Sequence, residues 1–276
     1  MGDRHSSHAC CTRSFAVIRS HGLTALLVQF RVIATLTLRE TRATFGSSHL
    51  GYLWAIVQPL ASISLLVLLF YLIGRQAPFG ESLALFFATA ILTLELYNKL
   101  SVSLMRAFTS NKALLTYPMI TQTDTLFSRL ALISLTFIII NLVYYSALIA
   151  LGFASLPAHP ELIILAFAGT CAFGFGVGTI NAILYQRNPS WQYVEKIFSR
   201  PLFFLSGVFY IPSRLPPEAI EILKWNPILH FVELTRTGYY SNYESDVLSF
   251  SYPFWLTVFL ISFGLFLERI TRKLRQ

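Results

Sequence analysis

The stretch RETRATFGSSHLGYLWAIVQP, residues 39–59, decides the fold. It begins with charged side chains, is interrupted by the glycines of residues 46–51, and then opens an apolar run that continues to Ile73. A run of about 20 apolar residues, at about 1.5 Å rise per residue, covers the roughly 30 Å hydrocarbon core of a bilayer. The stretch therefore predicts where the chain passes from a charged segment at the membrane surface into its first span.

The composition of the whole chain agrees with this prediction. Of the 276 residues, 55% are hydrophobic and only 12% are charged, whereas a soluble domain carries about 25% charged residues. The apolar runs are continuous, which disfavours a β-barrel because barrel strands alternate polar and apolar residues. We predict an all-α membrane protein with six transmembrane helices per protomer.

The net charge of +8 and the three cysteines narrow the class further. A basic excess in a membrane protein indicates cytoplasmic Lys and Arg, so no nucleic-acid partner is predicted. Three cysteines cannot form a disulfide framework. The N-terminal segment holds His5, His8, Cys10 and Cys11. Because their spacing is not that of a tetrahedral site, we interpret residues 1–22 as a mobile cytoplasmic tail and predict no metal.

The rest of the chain divides into a surface helix and a membrane domain. Residues 23–46 have apolar side chains at helical spacing, interrupted by charges, and we predict an amphipathic helix lying in the cytoplasmic interface. A soluble helix packed on a partner is the alternative. Residues 47–276 form the membrane domain. Its predicted spans are about 53–73, 83–104, 130–151, 162–184, 197–210 and 252–267.

The fifth predicted span, residues 197–210, is short, and prolines follow it. Two weakly amphipathic helices come next, residues 218–225 and 228–239, separated by Asn226-Pro227. We interpret them as re-entrant helices on the outer side of the membrane, since irregular backbone survives at membrane depth only where protein or water covers it. Two helices lying flat on the outer surface are the alternative.

Positive charges predict the orientation. With six spans, the outer loops carry only Arg75, Arg214, Lys224 and Arg236, and Lys99 lies inside a span. The remaining members of the 21 Lys and Arg residues fall on the other side. Because cytoplasmic loops carry an excess of Lys and Arg, we predict a multi-pass protein with both termini in the cytoplasm.

Two pairs inside the spans have helical spacing. Glu95 and Lys99 lie four residues apart on one helix face, and we predict an intramembrane ion pair rather than a proton relay, because pairing lowers the cost of burying charge. Gly174 and Gly178 form a GxxxG pair, which lets two helices approach closely.

Residues 106–129 form a polar connection between the second and third spans. The segment has a potential cap and stop for a short helix and an apolar surface between them. The residues concerned are Asn111, Leu114, Leu115, Tyr117 and Pro118. A short amphipathic helix on the cytoplasmic face suits docking of a soluble partner, and a loop helix that touches only lipid is the alternative.

The sequence contains no P-loop, no HExxH and no GxSxG motif, so we predict a transport subunit rather than an enzyme. Six spans without their own energy source suit one protomer of a dimer that works with a separate ATPase.

Four stretches, taken together and in order, resemble the permease of ABC-2 type exporters, specifically the capsular polysaccharide export family. They are RETRATFGSSHLGYLWAIVQP at 39–59, NKALLTYPMITQTDTLFSR at 111–129, RPLFFLSGVFYIP at 200–212 and WNPILHFVELTRTGY at 225–239. The resemblance implies that residues 111–123 are a coupling helix seated in a cleft of the ATPase. It also implies that residues 225–239 belong to re-entrant outer helices.

The resemblance further implies the partners and the cargo. The chain is expected to form a homodimer with two copies of a cytoplasmic ABC ATPase, which holds the ATP and Mg; no cofactor is expected in this chain. A periplasmic adaptor or co-polymerase and an outer-membrane export channel are the expected downstream partners. The expected cargo is a lipid-linked capsular polysaccharide that crosses the bacterial inner membrane.

Candidate pathway residues follow from the chemistry of such a cargo. Aromatic side chains stack on sugar faces through an apolar body with a polar tip, which favours Tyr52, Trp54, Tyr71, Phe209 and Tyr210 near the first span and the outer gate. Arg39 and Arg42 are placed to meet a lipid phosphate at the cytoplasmic side, because guanidinium binds phosphate bidentately. Anchoring of the helix to the membrane explains these two arginines equally well.

Alternative functions stay open at this point. Within the same class, the cargo could be O-antigen, teichoic acid or another ABC-2 substrate. In a different class, the chain could be a multipass enzyme that processes lipid-linked sugars, for which only Glu95 is a candidate acid. A structural membrane subunit without a pathway is the third alternative.

Overall fold

The computed structural model describes residues 22–45, 49–116 and 120–273, and these ranges contain helices but no strand. The helices are α1 Gly22–Phe45, α2 His49–Leu72, α3 Leu83–Met105, α4 Ala107–Ser110, α5 Gln122–Ala150, α6 Pro160–Arg187, α7 Trp191–Leu205, α8 Pro217–Leu223, α9 Pro227–Tyr239 and α10 Ser251–Lys273. Single 3-10 turns occupy Leu114–Thr116 and Pro212–Arg214. The predicted all-α class is confirmed.

Five helices of the described chain are long and apolar enough to cross a membrane, namely α2, α3, α5, α6 and α10. Each overlaps a predicted span, although α5 begins eight residues before residue 130. The predicted fifth span coincides only partly with α7, which has 15 residues and ends at Leu205. A turn with Gly207 at φ +71° follows, a backbone conformation that glycine adopts without strain.

Local chemistry fixes several helix ends. The Ser82 hydroxyl accepts a hydrogen bond from the Leu85 N–H at 3.2 Å and so caps α3. Thr121 and Asp124 form a reciprocal capping box at the start of α5. Asn226 caps α9 by accepting from the Ile228 N–H at 3.1 Å. These side chains satisfy backbone N–H groups that a helix N-terminus leaves unpaired.

Helix α3 lies at the centre of the bundle and packs on α2, α5, α6 and α9. Its closest neighbour is α6, and the GxxxG pair makes that contact. A Cβ atom added at Gly174 would lie 3.0 Å from the Leu100 Cβ, and one at Gly178 would lie 2.7 Å from the Leu104 Cβ. Only glycine allows this spacing, so the predicted close helix packing is confirmed.

Helix α1 packs along α5. Its inner face buries Leu36 and, unexpectedly, the carboxylate of Glu40, while Phe30 and Leu38 are exposed. Exposed apolar side chains beside buried polar ones suit a helix at the edge of a bilayer, where the outer surface meets lipid. Residues 49–51 of the break predicted at 46–51 belong to α2, and residues 46–48 lie outside the described ranges.

Candidate functional site

A buried polar clasp joins α1 to the loop between α3 and α5. Glu40 is 4% exposed and pairs with the Arg129 guanidinium of α5 at 3.2 Å. The same carboxylate accepts a hydrogen bond from the side-chain amide of Asn111. The Arg39 guanidinium in turn donates to the Asn111 Oδ1 at 3.1 Å. These four side chains, of which only Arg39 is exposed, thus hold the start of the loop against α1.

Asn111 occupies the C-cap position of α4 and is 4% exposed. Its amide nitrogen also donates to the Ala107 carbonyl at 3.1 Å. The side chain therefore lies behind the loop surface, where it positions the loop. The outer surface of the segment is therefore formed by its other residues.

The described part of the loop exposes only a few side chains, and one of its two leucines packs into the helix bundle. Leu115 packs against a cluster formed by α3, α4, α5 and α6, whereas Leu114 is half-buried outside it. Lys112, Ala113 and Thr116 are exposed. The helix expected to begin at Asn111 is not found in the described part of the segment: Asn111 ends α4, and only the 3-10 turn Leu114–Thr116 follows. Tyr117 and Pro118 lie outside the described residues, and their predicted roles stay predictions.

Sequence reasoning missed the part that Glu40 and Arg129 play in this clasp. The signal available was a single carboxylate among arginines on a helix with an apolar face. Two further contacts tie α1 to α5: the Gln29 amide donates to Asp124, and the Thr37 hydroxyl donates to the Ser128 carbonyl at 3.4 Å.

A second polar region runs along the open face of α2, α3 and α7. Glu95 accepts a hydrogen bond from the Ser62 hydroxyl of α2 at 3.3 Å, and its other oxygen is buried without a donor. Glu95 and Lys99 do not form the predicted ion pair within 4.0 Å, although the Lys99 charge acts on the Glu95 carboxylate at longer range. The reason is direction: the carboxylate faces α2, and Lys99 is exposed.

On the α7 side, side chains form a continuous hydrogen-bonded chain. The Trp191 indole donates to Asn181 at 2.9 Å, and the Asn181 amide donates to the Ser101 hydroxyl at 2.9 Å. The hydroxyls of Ser101 and Ser199 then donate to the buried Glu195 carboxylate at 3.3 and 2.8 Å. The chain links α3, α6 and α7 through polar contacts alone.

We call Ser62, Glu95, Asn98, Lys99, Lys196, Ser199 and Arg200 the polar stripe. Charged side chains at membrane depth are costly in lipid and face a bundle interior or a water-filled space. In a single copy of this chain the face of α2 and α7 is open, with only 11% of the α2 span buried. The polar stripe therefore needs water or a second chain against it.

The aromatic candidates do not form one surface. Trp54 and Tyr71 are 68% and 74% exposed on α2. Phe209 instead stacks on Phe70, with ring centroids 5.7 Å apart. It belongs to an aromatic cluster where the C-terminal ends of α2 and α7 meet the N-terminal end of α3. Tyr210 is half-buried beside this turn. The side chain of Tyr52 lies outside the described part.

A buried arginine on α9 holds the turn that ends α7. Arg236 is 0% exposed, and its guanidinium donates to the Gly207 carbonyl at 2.6 Å and the Tyr210 carbonyl at 3.3 Å. It pairs with Glu233 at 3.1 Å and lies 4.0 Å over the Phe86 ring. Arg236 therefore lies on a buried helix and not on an exposed loop.

Glu233 extends the same network to the segment before α10. Its second oxygen accepts from the Tyr243 hydroxyl at 2.8 Å and the Ser245 hydroxyl at 2.7 Å. This buried carboxylate thus accepts from three donors, one on α9 and two in the segment before α10. Additional hydrogen bonds of this kind are what make a buried ion pair tolerable.

Within the described ranges, no three His, Cys, Asp or Glu side chains come together as metal ligands. His5, His8, Cys10 and Cys11 lie outside these ranges, so the prediction for that segment stays a prediction.

Comparison with known proteins agrees with this architecture. Residues 31–240 match the ABC-2 type transporter family. The polysialic acid transport protein KpsM of Escherichia coli is 28% identical over 243 residues, which cover 88% of this chain and 94% of KpsM.

Two further relatives have capsule in their names. The capsule polysaccharide export inner-membrane protein CtrC of Neisseria meningitidis serogroup B is 28% identical over 87% of this chain and 91% of CtrC. BexB of Haemophilus influenzae, with the same descriptive name, is 25% identical over 80% of this chain and 85% of BexB. The family resemblance of the four stretches is thereby confirmed. With three quarters of its length inside the match, the chain belongs to the ABC-2 type transporter family.

Proposed function

We propose that this chain is the membrane subunit of an ATP-driven exporter that moves lipid-linked capsular polysaccharide from the cytoplasm across the bacterial inner membrane. The observation that carries the proposal is the near full-length similarity to KpsM, CtrC and BexB, all of which are named for polysaccharide transport or export. The polar stripe supports it, because a hydrated polymer needs a polar path through the bilayer.

The working unit in this proposal is a homodimer with two copies of a separate ABC ATPase. ATP and Mg bind to that ATPase. The open face of α2 and α7 supports a dimer, because a second copy placed there would turn the polar stripe into the wall of an internal path. A periplasmic adaptor or co-polymerase and an outer-membrane channel would receive the polymer.

The proposed topology has six spans and both termini in the cytoplasm. Helix α7 and the turn after it form the fifth, incomplete span, and α8 and α9 enter from the periplasmic side. Nearly all of α9 is buried, including the Glu233–Arg236 pair. This burial supports a re-entrant position, since polar groups and broken helices at membrane depth need a cover of protein.

The loop of residues 106–121 is the proposed contact with the ATPase. The clasp of Glu40, Asn111 and Arg129 makes α1 and this loop a single mechanical unit, so a push on the loop also moves α1. Arg42 is exposed on α1 and is the better candidate for a lipid phosphate, because Arg39 already donates to Asn111.

The decisive experiment is co-purification of the chain with its ATPase, followed by measurement of ATP turnover with and without lipid-linked polymer. We expect a stable complex whose ATP turnover rises with the polymer and does not rise with the lipid anchor lacking sugar. A complex that hydrolyses ATP at one rate in all three conditions would contradict the proposal. A chain that processes the sugar without any ATPase would favour the multipass enzyme instead.

A further inference from the structure

A cavity of about 360 Å³ lies between α3 and α7, within the polar stripe. Its volume is at the lower end of the roughly 300–1,000 Å³ range of small-ligand pockets. The lining side chains are Asn98, Val102, Glu195, Lys196, Ser199 and Arg200. Five of the six are polar, which is unusual for a concavity on a membrane helix bundle.

The cations of the cavity are free to bind a ligand. Lys196 and Arg200 lie four residues apart on α7, so they project from one helix face. Both are exposed, and neither forms an ion pair with a carboxylate within 4.0 Å in the described structure. Together they present an ammonium and a planar guanidinium at the same opening, a combination that suits a carboxylate or a phosphate.

The cavity also offers an acceptor without a donor. The Asn98 Oδ1 is buried and has no hydrogen-bond partner. A buried acceptor without a partner costs about 1–3 kcal/mol. The Asn98 side chain lines the cavity, so a rotation of its amide would bring this oxygen to a ligand hydroxyl. An anion alone would leave this atom unpaired, so the lining fits an anionic group that is carried on a polyhydroxylated chain.

Glu195 lines the cavity, and hydrogen bonds fix its position. Its carboxylate is buried and held by the hydroxyls of Ser101 and Ser199, which in turn connect to Asn181 and Trp191. Both hydroxyls donate to one oxygen of this carboxylate, Oε1. One carboxylate and two cations without an ion pair line the cavity, so the charge of the lining favours a negative ligand. The hydrogen-bonded chain also fixes α7 against α3 and so fixes the positions of the two cations.

We infer that this cavity is a binding subsite for an anionic, polyhydroxylated unit of the cargo, with the anionic group on Lys196 and Arg200 and a hydroxyl on Asn98. The inference rests on the proposed function, since it names the chemistry of what the pathway holds. The anionic group is either a sugar carboxylate or the phosphate of the lipid anchor, which share the same recognition.

The test is equilibrium binding to the complex of this chain and its ATPase in lipid nanodiscs, without ATP. Three probes separate the chemistries: a sialic acid oligomer, a neutral maltose oligomer of equal length, and lysophosphatidylglycerol. The test variant is Lys196→Gln with Arg200→Gln. The control is Arg214→Gln with Lys224→Gln, which removes the same charge from exposed positions outside the polar stripe.

We expect the test variant to bind at least one of the two anionic probes, the sialic acid oligomer or lysophosphatidylglycerol, at least about tenfold more weakly than the control does. A tenfold change corresponds to a loss of about 1.4 kcal/mol of binding free energy. Binding of the maltose oligomer should be equal in both. A loss confined to the sialic acid oligomer assigns the site to sugar carboxylates, and a loss confined to lysophosphatidylglycerol assigns it to the anchor phosphate. Equal binding by the test and control variants would overturn the inference.

This readout separates the subsite from the export proposal. Selective anion binding with ATP turnover that no polymer stimulates would support the subsite and contradict export. Polymer-stimulated turnover with equal binding by both variants would support export and contradict the subsite.

Discussion

Whether a charged side chain is tolerated inside this protein depends on the donors and acceptors that face it. Arg236 satisfies two carbonyl groups and one carboxylate, and Glu40 is held by Arg129 and Asn111. Breaking a buried pair by removing one partner costs about 3–5 kcal/mol, because the other charge stays buried. The side chains that hold helices and loops in place in this protein therefore include buried polar ones.

Replacing Glu40 by Gln tests this at the clasp. The variant keeps the shape of the side chain and leaves the Arg129 charge unpaired, so we expect a loss of about 3 kcal/mol and a fall in Tm of about 6 °C. Thermal unfolding of the purified complex in detergent measures it.

The control for this prediction is Arg42→Gln, an exposed position on the same helix, which should change stability by less than about 0.5 kcal/mol. Adding Arg129→Met to Glu40→Gln removes both charges and should recover most of the lost Tm. An unchanged Tm for Glu40→Gln alone would mean that the ion pair carries no stability.

The elements differ in how they are held. Helices α3 and α6 are locked by the contact of Gly174 and Gly178 with leucines, whereas the segment of residues 111–116 is anchored by one apolar and one polar side chain. Leu115 and Asn111 face inward, so the surface of this segment is limited to a few neighbouring side chains. Leu114 is the largest apolar one among them with a part-exposed side chain.

Leu114→Asp is expected to weaken binding of the ATPase while leaving the membrane bundle intact. A charge on the contact surface should lower the amount of ATPase recovered in a pull-down by tenfold or more, since about 1.4 kcal/mol corresponds to a tenfold change. The matched control is Ile222→Asp, which should leave the ATPase bound. Ile222 is an exposed apolar residue on α8, at the end of the helix bundle opposite to Leu114. Full recovery of the ATPase by Leu114→Asp would remove this segment from the interface.

At the scale of the whole molecule, the proposed membrane orientation determines from which side of the membrane the open face of α2 and α7 is reached. Helices that cross in the proposed order place the loop of residues 106–121 and the ends of α6 and α10 on one side. The polar stripe then opens near that side, because Asn98 precedes the end of α3 by two turns. A polymer that starts in the cytoplasm would meet it early.

Cysteine labelling tests this orientation. In a chain whose own cysteines are replaced by serine, a membrane-impermeant maleimide added to intact spheroplasts should label Leu156→Cys and Asn242→Cys, both at exposed positions. Lys112→Cys should react only after the membrane is opened. Labelling of Lys112→Cys in sealed spheroplasts would reverse the topology.

Much of this protein follows from sequence periodicity and charge. The apolar runs determine five of the helices because a bilayer requires a fixed length, and Asn226-Pro227 determines the start of α9 because proline is compatible with a first helical turn. The family can likewise be recognised from four ordered stretches. The boundaries of α7 could not be predicted, because its apolar run continues beyond the turn at Gly207.

The sequence by itself determined the fold class, the positions of the five long apolar helices and the family, because each depends on residues close together along the chain. Only the tertiary structure decided which charges meet. Glu95 was predicted to pair with Lys99 from their spacing, yet it faces Ser62, while Glu40 reaches Arg129 across 89 positions of the chain. Side-chain direction is set by the packing of helices that are distant in sequence, and no local pattern encodes it.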